Sequence, residues 1–198
     1  MEIKQFIQQI LQAAKQGGSS VCECGKGADG VGVQVGLAIA ELAKWKPRWK
    51  IEKYENDEAY RAGRPSEVLG FDGNLLLNEG INAIWTLVCG GSETAFNNAN
   101  ARIGVGDSSA AAAATQTDLQ AATNKLYKAM DATYPTFGTV QKVVFRSTFG
   151  ATEANWAWNE ITVDNGVVAA KTLNRKVQAM GTKADPAIWI VTLEISLS

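Results

Sequence analysis

Residues 188–198 read IWIVTLEISLS. Trp189, Val191, Leu193, Ile195 and Leu197 hold the odd positions, while Thr192, Glu194, Ser196 and Ser198 hold the even ones. Side chains alternate across a β-strand, so this spacing predicts a strand with one apolar face on a core and one polar face in water. Its regularity up to Ser198 predicts that this end of the chain is stitched into a sheet.

The same rule extends backwards. QKVVFRSTFG (141–150) places Val143, Phe145 and Phe149 on one side and Val144, Arg146 and Thr148 on the other. NWAWNEITV (155–163) sets Trp156 and Trp158 against Ala157, Asn159, Ile161 and Val163, and Asp164-Asn165-Gly166 then supplies turn chemistry. Ala101 to Val105 also reads as a strand. Antiparallel strands at such intervals predict a mainly β chain with helices (α+β), built as an antiparallel β-sandwich.

KWKPRWKIEK (44–53) mixes five cationic side chains with two tryptophans, a combination that nucleic-acid grips use. Here, however, Trp45, Pro47, Trp49 and Ile51 alternate with Lys44, Lys46, Arg48, Lys50 and Glu52. Rings on an inward face are not free to stack on bases, so the stretch reads as a half-buried strand whose charged row faces out, towards an acidic partner surface if any. Pro47 cannot donate to a ladder, which predicts an edge strand or the start of one.

Two segments carry helical periodicity. Ile3, Phe6, Ile7, Ile10 and Leu11 follow the i, i+3, i+4, i+7 rule, and Gly17-Gly18 ends the run, predicting an amphipathic N-terminal helical arm over 1–18. So short a helix does not stand alone in water, so the arm is expected to dock on its own domain or on another subunit. In FDGNLLLNEGINAIWTLVCGGS (71–92), Leu75 to Leu77 form an apolar run and Asn78 is a candidate N-cap. Ile81, Ile84, Trp85 and Val88 share one face, which predicts a core helix of about three turns stopped by Gly90-Gly91.

Residues 53–70 are charged and turn-rich and read as a surface loop. Within 21–43, Val31 to Val35 alternates like a strand, and Leu37 to Leu42 fits either strand or helix. Three parts follow: the arm at 1–18, a Gly-rich and basic edge-strand and loop segment at 19–70, and a β-sandwich domain with one core helix at 71–198.

Composition narrows the chemistry. The 198 residues carry 19 Lys+Arg against 20 Asp+Glu, so the basic row is local and the chain as a whole is not a polyanion binder. There are 0 histidines, which removes Ser-His-Asp, Cys-His and His-metal mechanisms. Cys22, Cys24 and Cys89 are an odd number, fitting reduced thiols made in a cytoplasm, and C-E-C is too short for a usual zinc knuckle. Gly104, Gly106 and Asp107 resemble fragments of phosphate loops, but no complete motif leads into a helix. Glu153 and Glu160 flank the tryptophan pair, as sugar-cleaving carboxylates can, although alternation assigns both a solvent-facing place. No catalytic, metal or cofactor site is therefore expected. Nor is a signal peptide or a membrane span, since the first eighteen residues lack a basic start and a continuous apolar run.

The segments GNLLLNEGINAIWTLVCGG, FNNANARIGVGDSSAAAAATQTDL, YPTFGTVQKVVFRSTFGATEANWAWNEITV, LNRKVQAMGTK and WIVTLEISLS resemble, in that order, a group of tailed-bacteriophage virion structural proteins. The likeness covers roughly residues 66–198. It implies a non-enzymatic component of the particle, either a capsid decoration (cement) protein or a tail or tail-fibre part. A short single domain without collagen-like or coiled-coil repeats, together with the arm, favours the capsid exterior. On that expectation the partners are the major capsid protein and other copies of the chain, in an oligomer for which a trimer would suit local three-fold positions. The chain would then reside in the virion, assembled in the host bacterial cytoplasm. Ile3, Phe6, Ile7, Ile10 and Leu11 of the arm, with Lys46, Arg48 and Lys50, are the candidate interface residues. The alternative is a tail component for host attachment, with Tyr134 to Gly138 as the recognition tip; the plainer role for Tyr134 and Phe137 is to cap one end of the sandwich.

Overall fold

The computed structural model describes residues 44–197. Within them the order is β1 (Trp45–Tyr54), α1 (Asp57–Arg61), β2 (Glu67–Asp72), β3 (Leu75–Leu76), α2 (Asn78–Val88), β4 (Arg102–Gly106), β5 (Lys125–Ala129), β6 (Thr136–Thr139), β7 (Lys142–Phe149), β8 (Ala157–Asp164), β9 (Thr172–Thr182) and β10 (Ile188–Leu197). Two antiparallel five-stranded sheets result, ordered β2-β1-β10-β7-β6 and β3-β9-β8-β4-β5. This is the β-sandwich-like α+β fold that the alternating segments predict.

The apolar faces of the two sheets share one core. Trp49, Ile51, Phe145, Phe149, Trp189, Val191, Leu193 and Ile195 come from the first sheet, and Ile103, Val105, Trp158, Ile161, Val163 and Leu173 from the second. Trp158 joins them, with ring centroids 4.8 Å from Phe149 and 4.7 Å from Trp189, both edge-on. Such edge-to-face pairs set the negative face of one ring against the positive edge of another. β10 lies between β1 and β7, so the strand at 188–197 is the middle of its sheet.

Several expectations need correction. β1 is an inner strand, paired with β10 along its length and with β2 over Arg48 to Lys53. Pro47 is tolerated because it lies just past the β2 ladder: Gly73 N–H donates to Pro47 O at 3.0 Å, and only the reciprocal bond is missing. Residues 53–70 are not one loop, since they contain the end of β1, α1 and most of β2. The sandwich therefore includes β1 and β2 and does not begin at residue 71. In β8 the alternation breaks at a register shift between Trp158 and Glu160. That irregularity reverses the parity and brings Trp158 onto the same core face as Ile161 and Val163.

Helix α2 also differs. Its N-cap is Leu77, without a side-chain bond, and Asn78 is already helical. Glu79 in the first turn accepts the Thr172 N–H at 2.6 Å. The helix meets β9 through Gly80, where an added Cβ would lie 2.3 Å from Leu173 O, and through buried Ala83. Ile81 and Ile84 are half-buried, whereas Trp85 is 61% and Val88 70% exposed. The expected core face is thus only partly covered.

The first five interface candidates, Ile3, Phe6, Ile7, Ile10 and Leu11, lie outside the described residues, as do the readings at 21–43.

Candidate functional site

Lys46, Arg48 and Lys50 all project from the outward face of β1 and are exposed, as the alternation requires. They do not form a purely positive row. Lys50 pairs with Glu52 at 3.0 Å, and Arg48 stands in register between Glu194 on β10 and Asp72 on β2. Glu194 itself binds Lys142 on β7 at 2.9 Å. This face is a chequerboard of both signs, so the surface it would match also carries both signs. The pairs are solvent-exposed and contribute little to stability individually. A shallow depression at this end is lined by Trp45, Lys46, Arg48, Asp72 and Glu194, and Trp45 Nε1–H donates to Asn74 Oδ1 at 3.2 Å.

The opposite outer face, on the second sheet, holds what the sequence reading missed. Glu160 and Arg175 are both wholly buried. Arg175 Nε donates to Glu160 Oε2 at 2.7 Å, and the other Glu160 bonds come from the backbone N–H groups of Gln120 (2.9 Å) and Ala121 (2.7 Å). The remaining guanidinium donors reach Gln116 Oε1 at 3.0 Å and Ala110 O at 2.9 Å. Thr172 Oγ1 holds Thr117 O at 2.7 Å, and Asn78 N–H holds Ala114 O at 2.9 Å. Residues 107–124, which contain the alanine run, therefore form a strap tied across the sheet by one enclosed ion pair and its hydrogen bonds.

Gly104 and Gly106 acquire a structural reason in this setting. A Cβ on Gly106 would lie 2.4 Å from Glu160 Oε1, and one on Gly104 2.4 Å from the Tyr127 ring. The glycines make room for the polar layer; they do not cradle a phosphate. Beside them Asp118 accepts from the Tyr127 hydroxyl and from Lys125 Nζ at 2.6 Å. Burial alone would raise the Asp118 carboxyl, but these donors outweigh it and hold the group below the usual carboxylate range. Burial, and then the Asp118 carboxylate, push the Tyr127 phenol up.

Glu153 and Glu160, the two carboxylates flanking the tryptophans, are not poised as a pair. Glu160 is sealed against Arg175, contrary to its expected solvent-facing place. Glu153 binds Lys128 Nζ through both oxygens (2.6 and 2.9 Å) and accepts the Gly150 N–H at 2.7 Å. Lys183, nearly buried, spends its three protons on Gly150 O, Ala151 O and Asn155 Oδ1 at 2.6, 3.2 and 2.9 Å. These groups staple loops. Among the described residues no three Cys, Asp or Glu side chains converge as metal ligands would, and no helix is long and apolar enough to cross a membrane.

What the surface does offer is apolar. Val167 and Val168, in the β8–β9 loop, are 81% and 86% exposed, alongside the open Trp85 and Val88 of α2. The loop is held firmly: Asn165 Nδ2 donates to Thr94 O at 2.7 Å, Lys171 N–H donates to Asn165 Oδ1 at 2.6 Å, and Arg102 binds both Asp164 and Gly166 O. At the edge of the first sheet, Tyr134 packs on the core while Phe137 stands exposed on β6.

Comparison with protein-family models, characterised proteins and solved structures finds no match to the chain.

Proposed function

We propose that the chain is a structural component of a tailed-phage particle, a decoration (cement) protein that binds the outside of the head and stabilises it through repeated subunit contacts. The observation that carries this reading is the set of large apolar side chains, Trp85, Val88, Val167 and Val168, presented on a scaffold whose buried charges are consumed in tying its own loops. Firmly held apolar groups favour association, and a lattice multiplies contacts that are individually modest. The major capsid protein and other copies of the chain are the partners in this reading. Lys46, Arg48 and Lys50, interleaved with Glu52, Glu194 and Asp72, would register against a face of mixed charge.

The exposed Phe137 favours a second reading, attachment to a host from the tail. Gold-labelled antibody on intact virions separates the two. Label over the head is the expected result; label at the tail tip would transfer the chain to the second reading, and unlabelled particles would reject both.

A further inference from the structure

Lys183 differs from most cations of the sandwich in binding no carboxylate. Lys53, Lys125, Lys128 and Lys142 each pair with one, as buried Arg175 does with Glu160. Lys183 is 1% exposed, and its Nζ meets neutral oxygens alone: Gly150 O at 2.6 Å, Ala151 O at 3.2 Å and Asn155 Oδ1 at 2.9 Å. A buried ammonium without a bound counter-charge is costly and shifts towards the neutral amine, which is a nucleophile. Burial holds the Lys183 amine below its ordinary range, outweighing the negative charges of Glu153 and Asp185. Of the three oxygens, the one from Asn155 belongs to a side-chain carboxamide, a carbonyl that carries a leaving group. With a carbonyl bond of about 1.2 Å, that contact sets Nζ roughly 3–4 Å from Asn155 Cγ, close to a near-attack separation.

We propose that Lys183 and Asn155 become joined by an intramolecular amide bond, formed by the folded chain itself. Lys183 gives one proton to water, and the Nζ lone pair attacks Asn155 Cγ while the carbonyl π pair moves onto Oδ1. Collapse of that intermediate breaks the Cγ–Nδ2 bond, and Nδ2 leaves as ammonia, taking a second proton that came from Nζ. The sum turns an ammonium and a carboxamide into a secondary amide and an ammonium ion, so nothing is oxidised or reduced and no co-reactant enters. The surroundings hold the two groups together. Asn155 Nδ2 donates to Ala151 O at 2.9 Å, and Lys183 N–H donates to Trp156 O at 3.0 Å. Asn155 is exposed, which gives water access to its amide nitrogen and ammonia an exit. Asn155 lies just before β8 and Lys183 just after β9, so the bond clamps the open end of that hairpin and ties it to the loop leaving β7. It also replaces a buried charge by a neutral amide. This cross-link does not depend on where in a particle the chain resides.

Intact mass of the full-length chain tests it, measured after the folded protein has been held at neutral pH until the value is constant. The expected chain is lighter than its sequence by one ammonia, and digestion yields a branched peptide that joins the segment holding Asn155 to the segment holding Lys183. Asn165-Gly166 would also lose ammonia on closing to a succinimide, so the place of the loss decides and not the loss alone. Lys183→Arg and Asn155→Ala should each restore the full sequence mass; Lys183→Arg keeps a cation for the loop oxygens but is no nucleophile, since a guanidinium stays protonated. The branched peptide is read from the wild-type chain, so the test stands even where a variant fails to fold. Wild-type protein at its full sequence mass, a loss of ammonia that maps elsewhere, or one that persists in Lys183→Arg overturns the proposal.

Discussion

Arg175 Nε lies 2.7 Å from Glu160 Oε2, and neither side chain touches solvent. Two charges taken out of water are tolerated when further hydrogen bonds satisfy the groups around them, supplied here by Gln120, Ala121, Gln116 and Ala110. Removing one partner strands the other. Arg175→Met is expected to lower unfolding free energy by about 3–5 kcal/mol in urea titrations. Hydrogen exchange at the Gln120 and Ala121 amides should accelerate in the same variant, because the carboxylate they bind loses its anchor. Retained protection at both amides would show that the strap holds without the ion pair.

The glycines of β4 are tight because of that polar layer. Gly106→Ala places a methyl 2.4 Å from Glu160 Oε1 and 3.0 Å from Ala121 Cβ, so the ion pair or the strap must shift. A loss of about 1–3 kcal/mol is expected on thermal or chemical unfolding. Gly70→Ala on β2 is the matched control: its nearest neighbour would be Trp49 O at 3.9 Å, and the change should stay within about 0.5 kcal/mol. Equal effects at the two positions would contradict the packing assigned to Gly106.

The β6–β7 hairpin turns through Val140 and Gln141 at φ 49° and 52°. Two positive φ values suit Asn-Gly, and a β-branched residue there is strained. Replacing Val140-Gln141 by Asn-Gly should therefore stabilise the fold, by about 1 kcal/mol, read as a higher melting temperature. A lower one would argue against this turn geometry.

Glu153 makes stability depend on acid. Burial acts to raise its carboxyl, but the Lys128 ammonium and the Gly150 N–H outweigh that and hold it below its ordinary value of 4.5. A depressed folded-state value means the unfolded chain takes up the proton first. The contribution is therefore present at neutral pH and is lost as pH falls below the ordinary value and through the folded one. Glu153→Gln should be less stable than wild type near pH 7, with the gap closing in acid. A gap that is constant with pH would remove the carboxylate from this role.

In the first sheet β1, β7 and β10 were legible in the sequence because their core residues recur with period two, whereas most of β2 read as loop. Trp49 and Ile51, Phe145 and Phe149, and Leu193 and Ile195 all reach the core face that their spacing assigns. The second sheet was harder for a physical reason. Glu160, Thr162 and Arg175 look like solvent-facing alternates, and what buries them is a strap from residues 107–124, a pairing that no local pattern encodes. A signal was present in Gly104 and Gly106, since glycine inside a strand often marks a close approach. The parity of Trp158 was hidden by the register shift beside it. In α2 the periodicity marked Trp85 and Val88 as core-facing, and the structure leaves both exposed, because periodicity picks out an apolar face without saying what packs on it. Lys46, Arg48 and Lys50 were placed correctly on the outer face, while their interleaving with Glu194 and Asp72 depended on cross-strand register.

The structural role on the head is tested most directly by mixing the full-length chain with phage heads assembled without it and heating the pelleted particles. Saturable co-sedimentation at a fixed ratio to the major capsid protein, with a higher temperature of head disruption, is the expected result. Heads that fail to carry the chain down, or that carry it and break at an unaltered temperature, would contradict it.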